Sequence, residues 1–299
     1  MSEPEDIVQC VLKVKAESGE TPLWSSQEQR LYWVDQEKPT LNRFDPLTGV
    51  NEVWKMPAHC SSFALRGPGK PVLLALRTGL QDFDIATGAI TLRAAPPYDV
   101  ATMRFNDGRC DRQGRYIIGG VDLHFTQTRK FGRSAFYRFD AAGLTPILDG
   151  VTVSNGLAFS PDGRVMYRAE SSKGVVFAYD YDITAGNLSN ERVFTEIDRA
   201  DALFDGAEVD AQGGYWVALL KAGAVARYDP DGRLDKRISV PVLQPTKPCF
   251  GGPQLDVLYL TTASHRYLPG DAPLGEHAGG LFAIKTGHTG IPEPLLAIS

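Results

Sequence analysis

The chain has 299 residues, a formal net charge of −5 at pH 7, 30 glycines and 20 prolines. This acidic balance argues against a nucleic-acid partner, because neutralising phosphates requires a basic face. The first six residues lack a basic and apolar signal segment, and no apolar run is long enough to span a bilayer. We therefore expect a cytoplasmic protein with no membrane partner.

The first predicted element is a strand over residues 7–15. Val8, Cys10, Leu12 and Val14 alternate with mostly polar residues, the period of two that is typical of a half-buried strand. This strand precedes the repeats described next. The most economical place for it is beside the last repeat, where it would close a ring of sheets and remove an open edge.

From Glu20 onward, one pattern occurs six times. Each copy ends in a short segment before a turn, and the six segments start at Asn42, Gln81, Tyr137, Phe177, Ala226 and Leu281. Polar residues at the entrances of three inner strands, Asn106, Asn155 and Asp205, recur about every 50 residues, a period that indicates a repeat architecture. Six such copies predict an all-β fold, a six-bladed β-propeller with four-stranded antiparallel blades, as a single domain over residues 1–299.

Two irregular inserts interrupt this pattern. One spans residues 122–133 in blade three, and the other spans residues 264–279 in blade six. Inserts on a rigid scaffold often form lids or specificity loops, so we expect both to border one mouth of the propeller. In the first insert, Asp122 and His124 are candidates for reading the substrate, although a solvated surface loop is the alternative.

Polar residues that start the inner strands of a propeller converge on its central channel. Glu20, Asn155 and Asp205 offer two carboxylates and an amide oxygen at equivalent entrances, and Asn106 adds a second amide. Oxygen donors of this kind suit Ca²⁺ or Mg²⁺ and tolerate Mn²⁺, Fe²⁺ or Zn²⁺. We therefore predict one divalent ion, with Ca²⁺ the first candidate.

Arg104 lies two residues before Asn106 and thus on the same side of an extended segment. It can point into the channel and bind an oxygen-rich or anionic ligand. A salt bridge to Asp107 or Asp111 explains its spacing equally well.

Five motifs together resemble the senescence marker protein (regucalcin)/gluconolactonase family. They begin at Gly19, Arg104, Ser154, Phe204 and Thr246 and read GETPLW, RFNDG, SNGL, FDG and TKPCFGG. The resemblance covers essentially the whole chain. It implies a six-bladed propeller, a divalent metal held by Glu20, Asn155 and Asp205, substrate contacts from Arg104 and Asn106, and hydrolysis of sugar lactones.

The chain departs from this family pattern in blades three to five. Phe204 replaces a usual proline, Glu170 replaces an aspartate, and Leu219-Leu220-Lys221 replaces the glycines that usually follow Trp216-Val217-Ala218. None of these changes removes a predicted metal ligand. Their positions suggest that they affect which sugar the protein accepts.

The resulting hypothesis is a metal-dependent hydrolase that opens a sugar lactone, with Asp205 as both ligand and general base. Two alternatives remain: a paraoxonase-like hydrolase of other esters or lactones, and a calcium-binding propeller without turnover. We expect a monomer or a weak homo-oligomer. Of the four cysteines, Cys10 and Cys249 could be bridged if the first strand closes the last blade, and the sequence leaves this open.

Overall fold

The structure is a computed structural model that describes residues 7–267, 270 and 272–298. Its strands form six antiparallel sheets of four strands each, which confirms the predicted six-bladed propeller. The longest helix among the described residues is the four-residue α1 (Phe125–Thr128) in the first insert. Within the same residues, no helix combines the length and apolarity needed to cross a membrane.

The strands follow the repeats in chain order. The strand that precedes blade one is β1 (Val8–Leu12). Blade one comprises β2 (Gly19–Ser25), β3 (Arg30–Asp35), β4 (Thr40–Phe44) and β5 (Asn51–Lys55). Blade two comprises β6 (Cys60–Ala64), β7 (Val72–Leu76), β8 (Gly79–Phe83) and β9 (Ile90–Ala94). Blade three comprises β10 (Met103–Cys110), β11 (Tyr116–Asp122), β12 (Ser134–Asp140) and β13 (Gly143–Val151).

The second half of the ring repeats this arrangement. Blade four comprises β14 (Ser154–Phe159), β15 (Val165–Glu170), β16 (Val175–Tyr181) and β17 (Leu188–Glu196). Blade five comprises β18 (Leu203–Val209), β19 (Tyr215–Leu220), β20 (Ala224–Tyr228) and β21 (Leu234–Ser239). Blade six comprises β22 (Pro245–Gly251), β23 (Val257–Thr262), β24 (Leu281–Ile284) and, as its outer strand, β1.

The N-terminal strand closes the ring as predicted. Strand β1 runs antiparallel to β24, with Val8 opposite Ile284 and Cys10 opposite Phe282. This pairing places the first and last strands of the ring in one sheet and covers the outer edge of β24.

The possible bridge between Cys10 and Cys249 is not formed. All four cysteines are free thiols. Cys10 lies in the outer strand of blade six and Cys249 lies in its inner strand, with two strands between them. At about 4.8 Å per strand this separation is about 14 Å, too far for a disulfide.

The core lies between neighbouring blades, where the inner and second strands are buried on both faces. Between blades four and five, the rings of Tyr167 and Tyr215 lie 5.3 Å apart. Between blades five and six, the fully buried Trp216 packs edge-on against Phe250 at 5.9 Å. Outer strands such as β9 remain largely exposed.

Closure of blade six is predicted to contribute strongly to stability. Phe282 is 1% exposed and packs beside Val8 and Cys10 of the closing strand. We expect Phe282→Ala to lower the free energy of unfolding by about 3–5 kcal/mol, because it leaves a cavity in this core. The matched control is Leu47→Ala at a side chain that is 92% exposed, which should change stability by less than about 0.5 kcal/mol. Equal effects in denaturant unfolding would contradict this role of the closing strand.

Candidate metal and substrate site

The inner strands that carry the predicted site residues all change register at the same place. The breaks fall between Glu20 and Leu23, Phe105 and Gly108, Asn155 and Ala158, and Phe204 and Ala207. Such β-bulges locally increase strand twist and redirect side chains, and they are common beside active sites. The repeat thus supplies the same local distortion in four blades.

The five residues predicted to bind metal or substrate line one cavity of about 360 Å³. They are Glu20, Arg104, Asn106, Asn155 and Asp205. The two inserts also reach this cavity, the first through Phe125 and Thr126 and the second through Tyr267. The cavity therefore has polar groups from four inner strands and an apolar rim that includes both inserts.

Ser171 fixes the orientation of the Asn155 amide. The Ser171 hydroxyl donates to the carbonyl oxygen of Phe204 at 2.6 Å and accepts from Nδ2 of Asn155 at 2.9 Å. The Ser171 hydroxyl donates its only proton to Phe204, so toward Asn155 it can only accept a hydrogen bond. Asn155 must therefore turn its NH₂ group toward Ser171. Oδ1 of Asn155 consequently faces Asn106, whose Nδ2 donates to it at 2.9 Å, and it retains a second lone pair.

Arg104 orients Asn106 rather than pairing with a carboxylate. Its Nη1 donates to Oδ1 of Asn106 at 2.7 Å and to the carbonyl oxygen of Phe105 at 3.0 Å. The two salt-bridge partners considered from the sequence are engaged elsewhere, Asp107 with Lys247 and Asp111 with Arg115. Arg104 and Asn106 therefore form one hydrogen-bonded unit along the cavity wall.

Two carboxyl groups lie in this cavity in a poorly hydrated environment. Burial raises the pKa of Glu20 to about 7, opposed by the attraction of Lys247. Burial also raises the pKa of Asp205 well above its ordinary value, and the charges of Glu20 and Asp107 add to this effect. The charge of Glu20 acts on Asp205, and both carboxyl groups line the same cavity.

A buried ion pair that sequence reasoning missed lies beside these carboxyl groups. Lys247 is completely buried, and its Nζ donates to Oδ1 of Asp107 at 2.5 Å. Oδ2 of Asp107 accepts the backbone N–H of Leu157 at 2.8 Å, so the carboxylate joins blades three, four and six. Gly206 makes room for the lysine, because a Cβ there would lie 2.4 Å from Cγ of Lys247.

Asp122 and His124 lie outside the described lining of this cavity. Asp122 is fully buried, accepts the N–H of His124 at 2.8 Å and pairs with Arg133 at 3.0 Å. His124 is exposed at the start of α1. The first insert presents Phe125 and Thr126 to the cavity instead, so a role for Asp122 or His124 in specificity stays a prediction.

The donor set fits a hard divalent cation. Glu20 and Asp205 offer carboxylate oxygens, and Asn155 offers an amide oxygen whose orientation is fixed. No three His, Cys, Asp or Glu side chains within the described ranges form a metal-binding group. A cation in this cavity would therefore depend on the Asn155 oxygen as well as on carboxylates, a mixture typical of Ca²⁺ sites.

The sequence profile of the SMP-30/Gluconolactonase/LRE-like region matches residues 18–264. The chain belongs to this family. It is 34% identical over 295 residues to 6-deoxy-6-sulfogluconolactonase of Pseudomonas putida, covering 98% of this chain and 99% of that protein. It is 35% identical over 278 residues to L-arabinolactonase of Azospirillum brasilense, covering 91% of this chain and 90% of that protein.

A solved structure of the same family has nearly the same fold. The crystal structure of a calcium-binding protein, regucalcin, from Agrobacterium tumefaciens superposes with a TM-score of 0.90 at 27% identity. The match covers 98% of each chain. The whole described propeller, including the cavity, therefore lies within the matched region.

The Lys247–Asp107 pair leads to a prediction about stability. Lys247→Met leaves Asp107 as an unpaired buried charge and should lower the free energy of unfolding by about 3–5 kcal/mol. Adding Asp107→Asn should recover part of this loss, because the buried charge is then removed.

The control is Lys285→Met, which breaks an exposed pair with Asp256 and should cost less than about 1 kcal/mol. Denaturant unfolding in the presence of chelator measures the wild-type protein, Lys247→Met, Asp107→Asn, the double variant and Lys285→Met. Additive losses from Lys247→Met and Asp107→Asn would show that the two charges are not coupled.

Proposed function

We propose that this protein is a carboxylic-ester hydrolase that opens a sugar lactone to its aldonic acid. The proposal rests mainly on one observation: a single cavity is lined by all five predicted site residues, Glu20, Asn155, Asp205, Arg104 and Asn106. The names of its relatives support the substrate class, since they include an L-arabinolactonase and a sulfogluconolactonase.

We propose that Glu20, Asn155 and Asp205 hold one divalent ion, with Ca²⁺ as the first candidate. The calcium-binding regucalcin of similar fold supports this choice. When bound, such an ion supplies Lewis-acid chemistry, which polarises a carbonyl and stabilises negative charge on its oxygen. Mg²⁺, Mn²⁺, Zn²⁺ and Fe²⁺ remain compatible with the same donors.

Asp205 is suited to take the proton of the attacking water. A general base must lie within reach of the proton that it takes, and the Asp205 carboxyl group lines the same cavity as Arg104 and Asn106, the residues proposed to contact the substrate. Attack of the water on the carbonyl carbon, followed by cleavage of the ring C–O bond, yields the hydroxy acid. No histidine or cysteine is among the described residues that line the cavity, so direct attack by water is the simplest route.

The remaining side chains would position the sugar. Arg104 lies where it can donate hydrogen bonds to ring or hydroxyl oxygens. Asn106 already donates both of its amide protons, to Ser154 and Asn155, so it would contact a substrate hydroxyl as an acceptor through Oδ1. An apolar wall against which a sugar ring would pack is formed by Val121, Phe125 and Leu220. Positioning of this kind accelerates a reaction by holding the carbonyl near the water and the base.

The second candidate function is calcium binding without turnover, which the description of the Agrobacterium protein favours. A screen of aldonolactones that follows acid release, with and without each divalent ion, separates the two candidates. It also tests the paraoxonase-like alternative if simple esters are included. We further propose a cytoplasmic monomer or weak homo-oligomer, because four free thiols suit a reducing compartment.

Replacing the proposed base should separate catalysis from metal binding. Asp205→Asn keeps an oxygen donor but cannot accept a proton, so kcat should fall at least about 10²-fold. Metal affinity, measured by calorimetry, should fall much less. The control is Asp201→Asn on the loop before β18, which should leave both quantities unchanged. Retention of more than about a tenth of kcat at saturating metal would place the base elsewhere.

Substrate binding by Arg104 makes a further prediction. Arg104→Ala removes a charge-assisted donor and frees the Asn106 amide, so kcat/KM should fall by the equivalent of about 1.5–3 kcal/mol. Arg77→Ala, at a surface residue of blade two that bonds the Val100 carbonyl, is the control and should have little effect. An unchanged kcat/KM for every lactone hydrolysed by Arg104→Ala would limit Arg104 to a structural role.

A further inference from the structure

A second cavity adjoins the proposed active site. It has a volume of about 510 Å³ and shares Arg199 and Leu203 with the lining of the first cavity. It lies beyond the loop that leads into β18 and beside the turn that follows β19. A ligand bound next to Asp205 can therefore extend into it without leaving the protein surface.

The lining of this second cavity is cationic, whereas the chain as a whole is acidic. Its described residues include Arg199, Lys221 and Arg266 and no carboxylate. The net charge of the chain is −5, so a cavity lined by three cations differs from the average surface of this protein. Asp198 and Asp201 belong to the same loop as Arg199, but neither lines either cavity.

Local structure places Arg199 and Lys221 beside each other. The Arg199 side chain lies across Gly174, where a Cβ would be 2.9 Å from its Cγ. Lys221 has a left-handed backbone with φ of 74°, unusual for a residue with a side chain. Its Nζ donates to the carbonyl oxygen of Ala200, the residue after Arg199. Strained backbone of this kind is concentrated at functional sites.

Arg266 approaches from the opposite wall on the second insert. The insert is held down by Gln244, whose Nε2 donates to the His265 carbonyl at 2.6 Å and whose Oε1 accepts the Tyr267 N–H at 3.1 Å. Nη2 of Arg266 donates to the Ala272 carbonyl at 2.7 Å, which leaves its charge without a carboxylate partner among the described residues. Fixed backbone on both sides of Arg266 keeps its guanidinium at the cavity.

We propose that the substrate is a sugar lactone with an anionic group remote from its ring carbonyl, and that Arg199, Lys221 and Arg266 bind that group. This inference rests on the proposed lactonase function. Three neighbouring cations repel one another, and an anion between them removes that repulsion. The second cavity adjoins the one that holds Asp205, so the substrate would bind with its lactone ring beside Asp205 and its charged end toward Arg199, Lys221 and Arg266.

The proposal is tested with neutral gluconolactone and with gluconolactones bearing a sulfonate, phosphate or carboxylate at C6. The wild-type protein should show kcat/KM at least about tenfold higher for one or more of the charged lactones than for the neutral one. Arg266→Gln, at a residue outside the described lining of the first cavity, should lower kcat/KM for the charged lactone by about tenfold and change the neutral reaction by less than twofold. Arg199→Gln should also lower kcat/KM for the charged lactone. Arg199→Glu should reduce it further.

Two variants serve as controls for position and backbone. Arg233→Gln removes a cation from the turn after β20, at the other end of blade five, and should leave the preference unchanged. Lys221→Asn removes the charge with a residue that tolerates the left-handed backbone, and it should reduce the preference. The preference should also shrink as ionic strength rises, because salt screens exposed charges.

The outcomes separate this inference from the proposed function. Hydrolysis of all lactones at similar kcat/KM, unaffected by Arg199→Glu, would overturn the anionic-substrate inference and leave the lactonase proposal intact. Absence of hydrolysis for neutral and charged lactones alike, with every metal, would overturn the lactonase proposal itself. The relative rates of the sulfonate, phosphate and carboxylate compounds identify which anion the site accepts.

Discussion

The site depends on an imbalance of buried charge in the central channel. Three carboxyl groups, Glu20, Asp107 and Asp205, lie near two cations. Lys247 is already bonded to Asp107, and Arg104 is bonded to Asn106. The remaining two carboxyl groups must either take up protons or share a cation, because unpaired buried carboxylates are costly. Burial raises the pKa of both groups, which favours the first of these solutions. A bound divalent ion would be the second.

The repeated strands of the propeller bring these charged groups together in one channel. Each inner strand begins near the channel and bulges within a few residues of its start, so equivalent positions of different blades face the same space. Ser171 and Arg104 then fix the two amides, and Gly206 admits Lys247. The closing strand β1 stabilises the ring on which all of these positions depend.

Much of this arrangement could be predicted because the repeat has a strict register. A polar residue before each inner strand, followed by a separate turn signal, identified Glu20, Asn106, Asn155 and Asp205 as neighbours across blades. Lys247 lies in the TKPCFGG motif of the blade-six inner strand, but the motif does not predict its ion pair, because the partner Asp107 is 140 residues away. The inserts lie outside the repeat, so the repeat does not predict their conformation. Their length predicts that they border the mouth of the propeller, but not that Phe125, Thr126 and Tyr267 line the cavity.

The most direct test of the account is reconstitution of lactone hydrolysis from metal-free protein. Chelator-treated protein should be inactive in a pH-stat assay with the best lactone of the screen. One equivalent of divalent ion per chain should restore full activity, and Glu20→Gln should shift the restoration to higher ion concentration, because it loses a carboxylate ligand. Full activity in protein shown by elemental analysis to be free of divalent metal would contradict the account.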